Sequence, residues 1–279
     1  MNTNKNKETI KELSISELRP FKEHPYRVVD DEEMDRLVES IEEHGVMTPI
    51  NVRPIEGGYE VISGHRRIHA AKRAGLTTIS AIEMDMTRDQ AAVALVDSNL
   101  HRERLLPSEK AFAYKLKLEA LSHQGSSGQV GQKWTREEIS DDDSGRQVQR
   151  YIRLTNLIPP LLRMVDEERI AFTPAVELSY LTQEEQEMLF TEIGVTLATP
   201  SLSQACRLKR LSGEGKLDEE TITAIMSEEK PNQREKVSVP LSALKGKVPD
   251  SYTDKQLQEF VIKAVDHYHR YLMRQREVR

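Results

Sequence analysis

The sequence predicts an α+β protein: a small mixed α/β N-terminal domain, then an all-α helix-turn-helix domain, then a C-terminal helix. Three observations carry this. Residues 50–82 alternate and break like a β-hairpin followed by a helix and one more strand. Residues 122–133 are rich in glycine, serine and glutamine and hold no periodic apolar positions, as a linker does. Beyond them the apolar spacing is helical almost throughout.

A chain of 279 residues accommodates more than one domain, and 37% hydrophobic with 31% charged residues describes a soluble, helix-rich protein with modest cores. No run reaches the roughly 18 apolar residues of a membrane span. The start Met1-Asn2-Thr3-Asn4-Lys5 lacks the apolar core of a signal peptide, so a cytoplasmic protein with no membrane partner is expected. Cys206 is the only cysteine, which excludes an internal disulfide and a cysteine-based zinc site; set among Leu202, Leu208 and Leu211, it is expected to pack. The net charge of -6 is unevenly spread. Acid gathers in 30–43, 141–143 and 218–229, while Arg66, Arg67, Lys72 and Arg73, and then Arg146, Arg150 and Arg153, form two basic stretches suited to anions.

Residues 1–15 are polar and expected to be flexible, with a first domain over 16–121. Met34, Leu37, Val38 and Ile41 mark one helix face, with Asp30 or Asp31 as N-cap, Gly45 as the stop and Pro49 preventing continuation. Ile50-Asn51-Val52-Arg53 and Tyr59-Glu60-Val61-Ile62 form the hairpin. A helix over 65–74 stops at Gly75, and a strand covers 78–82. Helices follow over 87–96 and 107–121, the second with Pro107 at its start. After the 122–133 linker, helix starts in 134–228 are signalled by Thr135 with Glu138, Thr173-Pro174, and Thr182 with Glu185. A second linker spans 229–253. In the last segment, 254–279, Leu257, Phe260, Val261, Ala264, Val265 and Tyr268 repeat at helical spacing, and a lone helix of this kind needs a partner, here its copy in a second subunit.

The most informative stretch is Val61-Ile62-Ser63-Gly64-His65-Arg66-Arg67-Ile68-His69-Ala70-Ala71. A strand that ends in glycine lets the backbone approach an anion, and the helix starting there offers unpaired N–H groups at its positive end. Arg66 and Arg67 add charge-assisted donors for phosphate oxygens. The alternative is a solvated basic helix face. His65 and His69, four apart, could share a metal, but the adjoining arginines repel a cation and no nearby carboxylate completes a zinc-protease pattern.

Gly64-His65-Arg66-Arg67-Ile68-His69-Ala70 resembles the glycine-glutamate-arginine-arginine box of ParB proteins. Leu37 through Gly45-Val46-Met47-Thr48-Pro49-Ile50 resembles the first ParB box, Leu18-Arg19-Pro20 and Asn51-Val52-Arg53 fit its strands, and Ser98-Asn99-Leu100-His101-Arg102-Glu103 is similar to the third box. The likeness covers about residues 14 to 185. It implies a domain that binds CTP with Mg²⁺ and closes a homodimer into a clamp on DNA. Carried over by position, Gly45 and Pro49 match the loop beside the nucleotide; Gly64, His65, Arg66 and Arg67 match the phosphate turn; Asn99 and Arg102 match the third box. His65 stands where glutamate is usual and Ser98 where a metal-binding glutamate is usual, leaving Asn99 and the neighbouring Asp97 as the metal ligands. A serine hydroxyl is a poor magnesium ligand, so the resemblance supports nucleotide binding more than CTP hydrolysis. No catalytic residue is assigned: His65, His69, Glu60 and Asp97 are the only acid or base groups near the turn.

A helix-turn-helix is read from Trp134-Thr135-Arg136-Glu137-Glu138-Ile139, a break at Asp141-Asp142-Asp143, and a second helix beginning at Ser144. Val148, Ile152 and Leu154 or Thr155 would face inward, while Ser144, Arg146, Gln147, Gln149, Arg150 and Arg153 are the candidate DNA contacts, projecting outward as residue types that bond base edges and phosphates. A solvated charged face is the alternative. The acidic run is expected to face away from DNA or cap the helix. The ParB resemblance implies a nucleoid-associated partition protein that reads a palindromic double-stranded site and works with a ParA-like ATPase through its N-terminus. Competing readings are a helix-turn-helix regulator or silencer, and a small-molecule kinase or nuclease on the same fold.

Overall fold

A computed structural model describes residues 10–102, 105–127, 143–228 and 253–277. The described residues up to Glu228 form one compact unit and those beyond it another. The first unit opens with β1 (Ile10–Ser14), a 3₁₀ turn and β2 (Leu18–Pro20), followed by α1 (Glu32–His44), β3 (Ile50–Ile55), β4 (Gly58–Ser63), α2 (His65–Arg73), β5 (Thr78–Glu83) and α3 (Arg88–Leu100). The strands form one sheet in the order β1-β5-β3-β4-β2, with β1/β5 and β3/β4 antiparallel and β5/β3 and β4/β2 parallel.

The expectation of a flexible segment over residues 1–15 is corrected for its described part, because β1 pairs with β5 from Ile10↔Ile82 to Ser14↔Thr78, while residues 1–9 lie outside the described residues. Only Leu13 of this strand is buried, so an edge strand with one inward side chain leaves little periodic signal. β4 alternates between two cores. Val61 joins Ile50, Val52, Ile68 and Ile79 on one face, while Ile62 joins Phe21, Tyr26, Leu95 and Val96 on the other. Met34, Val38 and Ile41 of α1 pack on Ala70 of α2. Asp31 is the residue that caps α1, its Oδ1 accepting from Met34 N at 2.8 Å.

α4 (Pro107–Ser127) runs six residues past the expected end at Leu121, so the first half of the glycine- and serine-rich stretch is helical. Tyr114 and Leu121 of α4 bury against Val148 of α5 (Gly145–Leu154). Then come α6 (Pro159–Asp166), α7 (Phe172–Leu178), α8 (Gln183–Thr196), α9 (Leu202–Gly213) and α10 (Glu219–Met226), which share one core centred on Leu161, Leu178, Leu189 and Leu208. Thr182 and Glu185 form the expected capping box of α8. The Thr173-Pro174 signal is displaced: α7 starts at Phe172 with Ala171 as N-cap, and Thr173 Oγ1 instead accepts from Arg150. Cys206 is exposed, against expectation. The Ser201–Gln204 capping box and the bond from Gln204 Nε2 to Ile225 O turn Gln204, Ala205 and Leu208 inward, which rotates Cys206 to the outside. The helix expected around Thr135, the Asp141-Asp142 pair and most of the second linker lie outside the described residues.

The second unit contains α11 (Asp254–Glu277), on which Phe260, Val265 and Tyr268 are exposed. No described helix is long and apolar enough to cross a membrane.

Gly58 sits at φ +147°, where an added Cβ would lie 2.3 Å from Glu17 O, whereas Gly57 at φ +79° has open space around it. Gly58→Ala should therefore cost about 3 kcal/mol, combining overpacking with backbone strain, and Gly57→Ala about 1 kcal/mol from strain alone. Urea unfolding of the two variants checks this; equal losses would contradict the packing assigned to Gly58.

Candidate functional site

Where β4 ends, Gly64 turns the chain into α2 at φ +100°, and a Cβ there would stand 2.6 Å from Ile50 Cγ2 and 3.3 Å from Arg67 Cζ. Only glycine fits both the dihedral and the space. It is also the N-cap of α2 and supplies no side chain to satisfy the first N–H groups of the helix, which remain available to a ligand. Beside this turn lies a cavity of about 270 Å³, small but of the size that takes a phosphorylated ligand's polar part.

Gly64, His65, Arg66 and Arg67 line it from one side, and Asn99 and Arg102, from the end of α3, line it from the other. Six of the eight sequence-assigned nucleotide residues thus converge from two segments more than thirty positions apart. Gly45 and Pro49 are not part of the lining. Gly45 ends α1, its N–H donating to Ile41 O, and Pro49 takes part through its carbonyl. Arg67 Nη1 donates to that carbonyl and, at 2.6 Å, to Thr48 O. Burial lowers the Arg67 pKa from its usual range, consistent with a guanidinium spanning the turn rather than lying in solvent. Arg66 reaches Asp31 Oδ1 at 3.3 Å and Glu33 Oε2 at 3.5 Å, long pairs that yield readily to a better anion.

Asn99 is buried although it ends a helix, because its Nδ2 donates to Leu95 O at 2.8 Å and to Ser98 Oγ at 3.1 Å. Arg102 lies 5.5 Å from the Tyr26 ring centroid. Of the two expected metal ligands, Asn99 lines the cavity and Asp97 does not. The Asp97 carboxylate is 2.6 Å from Lys117 Nζ on α4, an ion pair that turns it away. Of the other acid or base groups near the turn, Glu60 is buried 2.6 Å from Arg53 and His69 bonds Asp30 at 2.8 Å.

The segment preceding α1 supplies residues that sequence reasoning missed: His24, Tyr26, Arg27 and Val28. The His24 and His65 rings lie 3.8 Å apart, and His24 Nδ1 bonds Tyr26 O at 2.8 Å. His65 Nε2 is buried with no partner. Burial, then His24 and Arg102, push the His65 pKa down to about 3, and burial chiefly lowers that of His24. Arg27 joins the cavity to the helical part: its Nη2 is 3.0 Å from Asp166 Oδ2, and Asp166, 4% exposed, also accepts from Ser108 N and Oγ at the start of α4.

The second basic stretch is α5. Ser144 caps it, with Oγ accepting from Gln147 N, and Val148 and Leu154 face inward as expected. Ser144 and Arg146 are exposed at its N-terminal end, with Gln147 and Gln149 partly so. Arg150 and Arg153 do not project freely. Arg150 lies over Phe172 and donates to Thr173 Oγ1 at 2.9 Å, and Arg153 lies 3.9 Å from the Tyr180 ring centroid and donates to Ser179 O. Aromatic faces and acceptors around α7 draw both guanidinium groups inward. Asp143 turns toward α4, 2.6 Å from both Lys110 Nζ and Tyr114 Oη; burial opposes its charge, but these bonds outweigh that and lower its pKa.

Residues 1–100 match the family model of the ParB N-terminal domain. The chain is 32% identical over 184 residues to the probable chromosome-partitioning protein ParB of Helicobacter pylori, covering 65% of this chain and 60% of that protein. With the probable chromosome 1-partitioning protein ParB of Deinococcus radiodurans the identity is 31% over 206 residues, covering 73% of this chain and 67% of that protein. A C-terminally truncated ParB of Caulobacter crescentus, solved with CTP-γ-S, is 26% identical with a TM-score of 0.32, over 61% of this chain and 92% of that one. The chain thus spans about three fifths of the length of the first of these relatives.

An unfolded histidine titrates near about 6.5, so below that pH the unfolded chain binds a proton that the folded His65 ring refuses. Stability owed to the neutral ring is whole above about pH 6.5 and drains away as pH falls toward about 3. Thermal unfolding midpoints should drop between pH 7 and pH 5, and His65→Gln should flatten that drop. A parallel drop in the variant would contradict the burial of His65.

Proposed function

The chain belongs to the ParB family, and we propose that it is a sequence-specific DNA-binding partition protein whose N-terminal cavity holds CTP. The observation that carries this reading is the convergence of a glycine-turned helix N-terminus with Arg66, Arg67 and Arg102 on one cavity that, among the described residues, no carboxylate lines. Amide N–H groups and guanidinium forks suit a phosphate tail. The choice of CTP follows the three sequence boxes. The buried Asn99 and the His24–His65 pair supply neutral hydrogen-bonding groups beside the charged ones.

DNA is read by the start of α5, where Ser144, Arg146, Gln147 and Gln149 are accessible. Arg150 and Arg153 shape that surface from behind by fixing α5 to α7. The working form is a homodimer on a palindromic double-stranded site, acting at the nucleoid with a ParA-like ATPase. Magnesium is the weakest element of the family pattern here. Among the described lining residues, a hard divalent ion would meet only neutral side-chain oxygens, from Ser63, Ser98, Asn99 and Tyr26.

Calorimetry with CTP and salt-dependent titration against a bank of palindromic duplexes test the two halves separately. Arg66→Ala should weaken CTP binding about tenfold, the loss of one charge-assisted contact, while nucleotide-free DNA binding is retained. Unchanged CTP affinity would remove Arg66 from the site. Arg146→Ala should weaken DNA binding across all sequences and reduce the salt slope by about one. Superimposable salt curves for parent and variant would remove α5 from the DNA interface.

A further inference from the structure

We propose that the cavity seats the phosphate tail of its nucleotide without a divalent cation held by the protein, and that the imidazole of His65 at the head of α2 sets this property. The inference rests on the nucleotide reading above and deepens it.

The described acids near the cavity already have partners. Asp31 caps α1 through Met34 N at 2.8 Å and pairs with Arg66, as does Glu33. Glu109 accepts from Arg27 N at 2.8 Å and from Leu106 N at 3.2 Å. Asp97 is held by Lys117. Each carboxylate that adjoins a lining residue through these bonds is committed to a backbone N–H or to a cation.

The neutral oxygens are poorly placed to replace them. Ser98 Oγ donates to Leu95 O and accepts from Asn99 Nδ2, which leaves it little capacity for a cation. Mg²⁺ is ordinarily held by one or two carboxylates together with the phosphates, and keeps its water otherwise. Against this, positive charge already lines the cavity from Arg66, Arg67 and Arg102, so the countercharge a metal would bring is present. Arg27 is the fourth guanidinium of the lining, drawn toward Asp166.

His65 occupies the position that decides between the two solutions. It is the first residue of α2, its ring lies tilted against that of His24 with centroids 3.8 Å apart, and its buried Nε2 has no hydrogen-bond partner among the described residues. The neutral ring offers a single hydrogen bond to a ligand and no anionic oxygen to a hard cation. Among the described residues, a carboxylate at this position would be the only one in the lining, on the same cavity as Asn99 and Ser98.

The test is equilibrium binding of radiolabelled CTP to the full chain, in millimolar magnesium and in EDTA, for the parent, His65→Glu and His65→Gln. The parent and His65→Gln should bind within about threefold in the two buffers, and His65→Glu should bind about tenfold or more tightly with magnesium than with EDTA. A parent that loses about tenfold or more in EDTA overturns the inference while leaving the nucleotide reading intact. His65→Glu that folds by circular dichroism and binds CTP equally in both buffers overturns the role given to His65; if that variant does not fold, the parent comparison still decides the cation question. A parent that binds CTP in neither buffer overturns the nucleotide reading itself, and this inference with it.

Discussion

At Gly64 the chain leaves a sheet and enters a helix within one residue, at φ +100°, with Ile50 packed where any side chain would stand. The sheet holds the turn from below because β4 sits between β3 and β2, its Val61 and Ile62 locked into different cores. Arg67 holds it from above by reaching back to the carbonyls of Thr48 and Pro49. The first turn of α2 is therefore presented in a fixed direction, and a fixed set of donors loses little freedom when an anion arrives.

The electrostatics of the cavity follow from this placement. Basic groups are gathered on one short helix start and just past the end of α3, while Asp97 is held outside the lining by Lys117 and Asp31, the cap of α1, reaches Arg66 only at 3.3 Å. Burial lowers the pKa of both His24 and His65, which disfavours their charged forms. What remains is a positive, half-enclosed site with neutral hydrogen-bonding groups at its margin. Arg27 extends it toward the helical part through Asp166, which also ties down the start of α4. A ligand that competes for Arg27 would act on the same carboxylate that braces α4 and α6.

Much of this was legible from residue order because strong local rules agree with the final packing. The Asp31 cap, the hairpin, the Gly64-to-α2 step and the Thr182–Glu185 capping box each depend on a few adjacent side chains. Asn99 and Arg102 were placed in the site by resemblance, since nothing local in α3 marks a buried asparagine as functional. What failed was decided by distant neighbours. β1 is strand because β5 needs an edge partner, and α4 continues past Leu121 though its composition suggests a linker. Cys206 faces out because Gln204 is bonded to α10. Arg150 and Arg153, partly exposed, are also held by Phe172 and Tyr180, rings more than twenty residues away in sequence. His24 and Tyr26 reach the cavity from a loop with no periodicity to read.

The central claim is that an anionic ligand docks on the amide groups of the Gly64 turn. Backbone amide NMR shifts during a CTP titration test it most directly, because they report on those N–H groups themselves. The account expects the largest movements at Gly64, His65, Arg66 and Arg67, accompanied by Asn99 across the cavity. Amides of the turn that stay in place while shifts gather on α5 or α8 would contradict it.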